Sequence, residues 1–337
     1  MESLSYADFS KSVHHQALTG RIPLDGTIEV TRRCSLECCH CYNNLAMDDP
    51  EARRRELSYD EHCRILDQLA DAGCLWLLYT GGEVFARPDF LNIYTYAKKK
   101  GMLITIFTNG TLITPEAADH LAGQPPFNIE ITLYGCTPET YESVTRVPGS
   151  FERCRRGIRL LRERGLPLTL KSMVMRLNKH EIWDLKRFAE QDLGCEFRFD
   201  AMLNSRIDRA EGPMAMRLTP AEVVELDILD SKRMTAWERF CRQFNGPVHL
   251  PEDNDEMYHC GAGISAFAID PQGKLASEVK ADYALGQRIG IEHTPTIWVV
   301  TANSKGAPFV EVVDRTKLYQ LIDQALADTR ASSTHSH

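Results

Sequence analysis

The sequence predicts an α/β fold in which a parallel sheet is bent into a partial (β/α)6 barrel, and three observations carry this. From residue 27 onward short apolar strands alternate with amphipathic helices, the pattern of a parallel sheet with right-handed crossovers. Six such units occur in succession, which suits a partial barrel. Several predicted strands end in small or polar residues, such as Thr80-Gly81-Gly82-Glu83, Thr108-Asn109-Gly110 and Tyr134-Gly135. In such a barrel the working residues sit on the loops at the carboxyl ends of the strands.

Taken in order, residues 26–31 read as the first strand and run into a cysteine-rich loop. A charged segment, DDPEARRRE, leads to a helix: Ser58 precedes an acidic first turn, and Ile65, Leu66 and Leu69 recur at helical spacing. Residues 75–79 are the second strand, 90–100 a helix, 103–107 the third strand and 128–133 the fourth. The basic helix FERCRRGIRLLRERG leads to the fifth strand at 168–175. A helix at 182–191 precedes the sixth, at 196–202. Near that strand's end Arg198, Asp200, Arg206 and Asp208 make a charged rim, either facing a substrate or engaged in ordinary salt bridges.

The loop from Thr31 to Asn44 reads TRRCSLECCHCYNN. Cys34, Cys38 and Cys41 stand as C-x3-C-x2-C, and soft thiolates so close together can grip three corners of a cubane iron–sulfur cluster. Three ligands leave one iron open to bind and polarise a second molecule. A structural zinc site would show a second ligand pair at a readable spacing, and none follows cleanly. A disulfide cluster would need an oxidising compartment. Cys39 does not fit the triad and is expected to point away.

With these residues in hand, the loop resembles the cluster loop of the radical S-adenosylmethionine (radical SAM) enzymes, and the resemblance in pattern runs over about residues 25–275. It implies one 4Fe-4S cluster on Cys34, Cys38 and Cys41, with SAM chelated through its amino and carboxylate groups at the fourth iron. It also implies an external one-electron reductant, reductive cleavage of SAM, and a 5′-deoxyadenosyl radical that takes hydrogen from a substrate. His40 occupies the family's aromatic position before the third cysteine and is expected against the adenine. Gly81, Gly82 and Glu83 match the family's Gly-Gly-Glu motif, which meets the SAM amino group. Thr132 matches a hydroxyl position that bonds the ribose or carboxylate; Tyr134 stands where an acidic residue is usual. Arg146 suits the SAM carboxylate through bidentate pairing, with a solvated surface arginine as the alternative. Asn109 is a further cofactor-binding candidate, and Asn178 a weaker strand-end one.

The resemblance is to peptide and protein maturases, which implies a peptide substrate. His259-Cys260-Gly261-Ala262-Gly263 and the following residues 267–275 are similar to the start of a SPASM or twitch extension. That extension needs further cysteines, and none follows Cys260. Residues 284–300, with Thr294-Pro295, resemble the second half of a DsbA-type thioredoxin fold, implying a cis peptide before Pro295, a second strand at 309–313 and a closing helix. The C-x2-C of that fold is absent from residues 277–337. The expected organisation is an N-terminal extension (1–24), core barrel (25–210), helical linker with truncated SPASM-like hairpin (211–276), thioredoxin-like fragment (277–330) and disordered tail (331–337).

At 337 residues the chain can bury a sizeable core, and a net charge of −8 argues against a general nucleic-acid or membrane-surface binder. Eleven cysteines, scattered outside the loop, fit a reducing compartment. The first residues hold no apolar h-region and no run of about 18 apolar residues follows, so a cytoplasmic protein is expected. Two other readings stay open: a catalytically silent fusion protein, and a module related to thiol–disulfide oxidoreductases.

Overall fold

A computed structural model describes residues 6–20, 22–244, 265–274, 298–299 and 310–311. The chain opens with a helix that the sequence reading leaves as an unassigned extension, α1 (Tyr6–Gly20). There follow β1 (Asp25–Glu29), the short strands β2 (Arg33–Cys34) and β3 (Leu45–Ala46), α2 (Pro50–Arg55), α3 (Tyr59–Asp71), β4 (Trp76–Thr80), α4 (Phe90–Lys99) and β5 (Leu103–Thr108). Next come α5 (Pro115–Gly123), β6 (Asn128–Thr132), α6 (Pro138–Thr145), α7 (Ser150–Glu163), β7 (Leu168–Met173), α8 (Ile182–Arg187), β8 (Glu196–Asp200), α9 (Pro220–Leu229), α10 (Ser231–Phe244) and β9 (Ala266–Ile269).

Seven strands form one sheet in the order β8-β7-β6-β5-β4-β1-β9, every neighbouring pair parallel. It is an open sheet with β8 and β9 at its edges, so the barrel is not closed. Alternation along each strand sorts the residues by face. Ile28, Leu77, Tyr79, Ile104, Ile106, Ile129, Ile131 and Leu170 are buried and join helix residues such as Leu66, Ile93, Leu121, Ile158 and Leu185 in one core. Side chains of the other register, among them Glu29, Phe107, Glu130, Thr132, Lys171 and Arg198, belong to the opposite face.

Helix starts follow from local chemistry. Ser58 and Glu61 close a capping box on α3, as do Thr219 and Glu222 on α9, satisfying amide groups that have no partner inside the helix. Thr114 and Thr137 cap α5 and α6, each followed by proline in the first turn.

Two sequence expectations are corrected here. The helix at 182–191 is α8 followed by a π-helical turn, Phe188–Asp192. The segment at 267–275, expected in an extension separate from the core, contributes β9, which pairs in parallel with β1 through Asp25↔Ala266 to Ile28↔Ile269. A tight turn follows, with the Gly273 amide donating to Asp270 O at 2.9 Å. The strand continues the same parallel ladder and so belongs with the core sheet.

The chain divides into two compact units, the first carrying this sheet. In the second, β10 (Trp298–Val299) pairs antiparallel with β11 (Val310–Glu311). The rest of residues 277–330, where a thioredoxin-like fragment is expected, the Thr294-Pro295 bond, His259–Gly263 and the tail at 331–337 lie outside the described residues. Among the described residues no helix is long and apolar enough to cross a membrane.

Candidate metal and cofactor site

The cysteine loop leaves the end of β1 and is pinned at its root by a buried ion pair. Arg33, 2% exposed, donates to both carboxylate oxygens of Glu56 at 2.8 and 2.9 Å and to Met47 O at 3.2 Å. A guanidinium meets a carboxylate in this two-point way, fixing orientation as well as charge. Thr31 donates to the same Glu56, and its Oγ1 accepts from the Arg33 amide at 3.0 Å. Farther along, the amides of Glu37 and Cys39 donate to Thr145 O and Val144 O, both at 3.0 Å, tying the loop to the end of α6. Arg206 reaches back from beyond β8 to Cys41 O at 3.3 Å and Asn44 Oδ1 at 2.9 Å.

Cys34, Cys38 and Cys41 come together at this place. Burial pushes the Cys34 thiol up to about 12, the Glu83 carboxylate adding to the effect. Burial also raises Cys38, with the Cys34 and Cys41 charges acting in the same direction, and burial raises Cys41. The three thiols therefore stay protonated until a cation displaces their protons. Donors are already aimed at the sulfurs. The Leu36 amide lies 3.4 Å and Asn109 Nδ2 3.5 Å from Cys34 Sγ, and the Tyr134 hydroxyl bonds the Cys38 thiol. Cys39 turns away as expected: its buried sulfur lies 4.0 Å from Met175 Sδ.

Among the described residues no three His, Cys, Asp or Glu side chains converge at the spacing of a single metal ion. A cubane does not need that, since each thiolate binds its own iron. Soft sulfur ligands with N–H and O–H donors at the sulfurs suit such a cluster. His40 adds a second indication. Its ring is edge-on to Tyr134 at 5.0 Å between centroids, its buried Nδ1 has no partner, and burial holds its pKa down at about 4. A neutral imidazole with an unpaired buried nitrogen is what a purine neighbour could complete.

The Gly-Gly-Glu turn after β4 has a structural task of its own. Gly81 has φ +141°, and a Cβ there would stand 2.1 Å from Thr31 O; one at Gly82 would stand 2.5 Å from Arg32 O and Arg33 O. Only glycine allows so close a passage beside the cysteine loop, and the amides of Gly82 and Glu83 donate to Thr31 O at 2.7 Å and Arg33 O at 2.9 Å. The Glu83 carboxylate is buried and turned into the protein. It accepts from Thr108 Oγ1 at 2.7 Å, the Asn109 amide at 2.7 Å and the Phe85 amide at 3.2 Å, while burial raises its pKa.

Asn109 is held by Thr111, whose amide and hydroxyl donate to its Oδ1 at 2.9 and 2.7 Å, leaving its amide group directed at Cys34 and Ser35. Thr132 ends β6 on the face opposite the apolar core, registered with Lys171 of β7. Arg146 is exposed, caps α6 in the left-handed conformation, and its charge is felt by Cys39. Asn178 faces inward, bonding the Met175 amide at 2.8 Å and Met173 O at 3.0 Å. The sequence reading missed the contact of Tyr134 with Cys38 and the pinning of the loop by Glu56. The latter left no signal in the sequence, because the burial of Arg33 is set by packing.

Residues 28–189 match the Radical SAM superfamily. That stretch, just under half of the chain, is similar to radical SAM domains. Domains of this family belong to enzymes that use a 4Fe-4S cluster and SAM. The chain is 33% identical over 154 residues to an AdoMet-dependent heme synthase of Methanosarcina barkeri, covering 46% of this chain and 43% of the relative. It is 31% identical over 173 residues to a PqqA peptide cyclase of Ruegeria pomeroyi, covering 51% and 45%. It is 32% identical over 258 residues to the antilisterial bacteriocin subtilosin biosynthesis protein AlbA of Bacillus subtilis, covering 75% and 54%. The chain thus spans about half the length of the curated relatives it matches. Among solved structures, Streptococcus suis SuiB bound to S-adenosylmethionine shares the fold, with TM-score 0.58 and 18% identity over 82% of this chain and 66% of that one.

Proposed function

We propose that the protein is a radical SAM enzyme acting on a peptide or protein side chain, with Cys34, Cys38 and Cys41 holding a 4Fe-4S cluster whose fourth iron takes SAM. The observation that carries this is the convergence of three half-buried thiols with sulfur-directed donors on one loop, inside the stretch that matches the radical SAM superfamily. Peptide-modifying names among the relatives support the substrate class. When bound, the cluster and SAM supply one-electron cleavage of the sulfonium C–S bond and hydrogen-atom abstraction, with the electron from an external reductant.

The chain's own residues bind and orient. The Arg33–Glu56 pair and the Gly81-Gly82 passage fix the loop against β4, so the thiols are preorganised. Asn109 and Tyr134 direct hydrogen atoms at two of the sulfurs. His40, neutral at pH 7, offers a ring face and an unpaired nitrogen to the adenine, and Arg146 and Thr132 are assigned to the SAM carboxylate and ribose. The buried Glu83 acts from behind the glycines, where its main role is to join the ends of β4 and β5.

The test is anaerobic SAM cleavage with dithionite, read as 5′-deoxyadenosine. Wild type and Cys39→Ala should form it, and Cys38→Ala should not. Equal product from Cys38→Ala would overturn the assignment.

A further inference from the structure

Four strands bring a charged group together on the sheet face opposite the apolar core. Phe107 of β5 is registered with Glu130 of β6, Thr132 with Lys171 of β7, and Lys171 with Arg198 of β8. Lys171 Nζ stands 3.4 Å from Glu130 Oε2 and 2.9 Å above the centroid of the Phe107 ring. Arg198 donates to the same Oε2, its guanidinium carbon 5.9 Å from the same ring. Glu130 and Lys171 side chains are 10% and 19% exposed, and that of Arg198 is 52% exposed.

Two cations thus share one carboxylate oxygen. An ion pair made only to hold strands together needs one cation per carboxylate, and burying the Lys171 ammonium beside a second cation is unfavourable unless something compensates it. The ring face compensates part of it. Burial, outweighing the Glu130 charge, lowers Lys171 to about 8, as expected of an ammonium short of a partner. Two other acids of this face are engaged elsewhere, while Glu196, two residues before Arg198, is exposed. Glu29 accepts from Tyr42 at 2.7 Å and Asn43 at 3.1 Å, and Asp200 from the Met202 amide at 2.8 Å. The half-exposed guanidinium marks the side from which an anion can enter.

We propose that Lys171 and Arg198, oriented by Glu130 and Phe107, form a subsite that binds a carboxylate of the substrate beside Thr132. This rests on the radical SAM reading, which makes this sheet face the side where cofactor and substrate meet. It narrows the substrate to one bearing an acidic side chain or a free C-terminus.

The experiment uses the full chain with lysines carrying ¹³C at Cε, iron-reconstituted under anaerobic conditions, and succinate as the probe. The Lys171 signal is identified by its loss in Lys171→Met. Succinate should shift it saturably, equally with or without saturating SAM, and Arg198→Gln should weaken the binding by about tenfold or more. A shift no larger than that from potassium chloride at equal ionic strength would overturn the subsite. Abolition of the succinate effect by SAM would overturn the substrate assignment and give the pair to the SAM carboxylate. Iron content and SAM binding are measured on the same samples. Their absence would refute the cofactor reading while leaving the succinate result to judge the subsite.

Discussion

Asn109 shows how one side chain couples a strand end to the cysteine loop. Thr111 fixes its carbonyl, so its amide hydrogens point at Cys34 Sγ. Hydrogen bonds to cluster sulfurs favour the reduced, more negative state. Asn109→Ala should therefore lower the midpoint potential in an EPR-monitored redox titration, with iron content retained and about 1–2 kcal/mol of stability lost. Gly81→Ala should be far more damaging, since its Cβ would fall 2.1 Å from Thr31 O at a φ few side chains adopt. Denaturant unfolding should show a loss of about 3 kcal/mol or more. His62 gives a pH prediction away from the cysteines. It is fully buried with both ring nitrogens unpaired, and burial, with Arg87 acting alongside, lowers its pKa to about 4. Between that value and the ordinary 6.5 the unfolded chain binds the extra proton. Stability is thus undiminished above pH 6.5 and falls as pH drops towards 4, by roughly 3 kcal/mol from this residue. His62→Leu should flatten that part of the profile measured by urea unfolding. The triad was legible in the sequence because its spacing is local. The inward turn of Glu83 was not, because its donors on Thr108 and Asn109 come from the next strand.

At the scale of elements, the root of the cysteine loop depends on one buried pair reaching from the β1–β2 segment to the end of α2. Removing one member of such a pair strands the other charge. Glu56→Ala should cost about 3–5 kcal/mol in urea unfolding. It should also speed iron loss to a chelator, because Arg33 and Thr31 lose their common anchor. Most strands of the main sheet were legible, with bounds shifted by a residue or two, as were the helices α3, α4, α7 and α8, whereas α1, α2, α5 and α6 were not. The role of β9 was not legible. Its pairing with β1 joins segments far apart in sequence, and a short apolar run reads alike in a hairpin and in a parallel ladder. The meeting of Glu130, Lys171 and Arg198 was hidden for the same reason, since register across three strands creates it. The sequence signal was a charged residue set among apolar ones in each of three predicted strands, Glu130, Lys171 and Arg198.

In the first unit, an open parallel sheet backs one apolar core and presents a polar face, with the cysteine loop at the end of β1. This arrangement gives the loop a rigid support and leaves the carboxyl ends of the strands to shape what enters. The central claim is a cluster with one open iron on Cys34, Cys38 and Cys41. Its most direct test is anaerobic iron and sulfide analysis combined with EPR of the reduced protein, with and without SAM. The account predicts about four irons per chain, a signal that shifts when SAM is added, and loss of that signal in Cys34→Ala. No iron after reconstitution, or a signal indifferent to SAM, would contradict it.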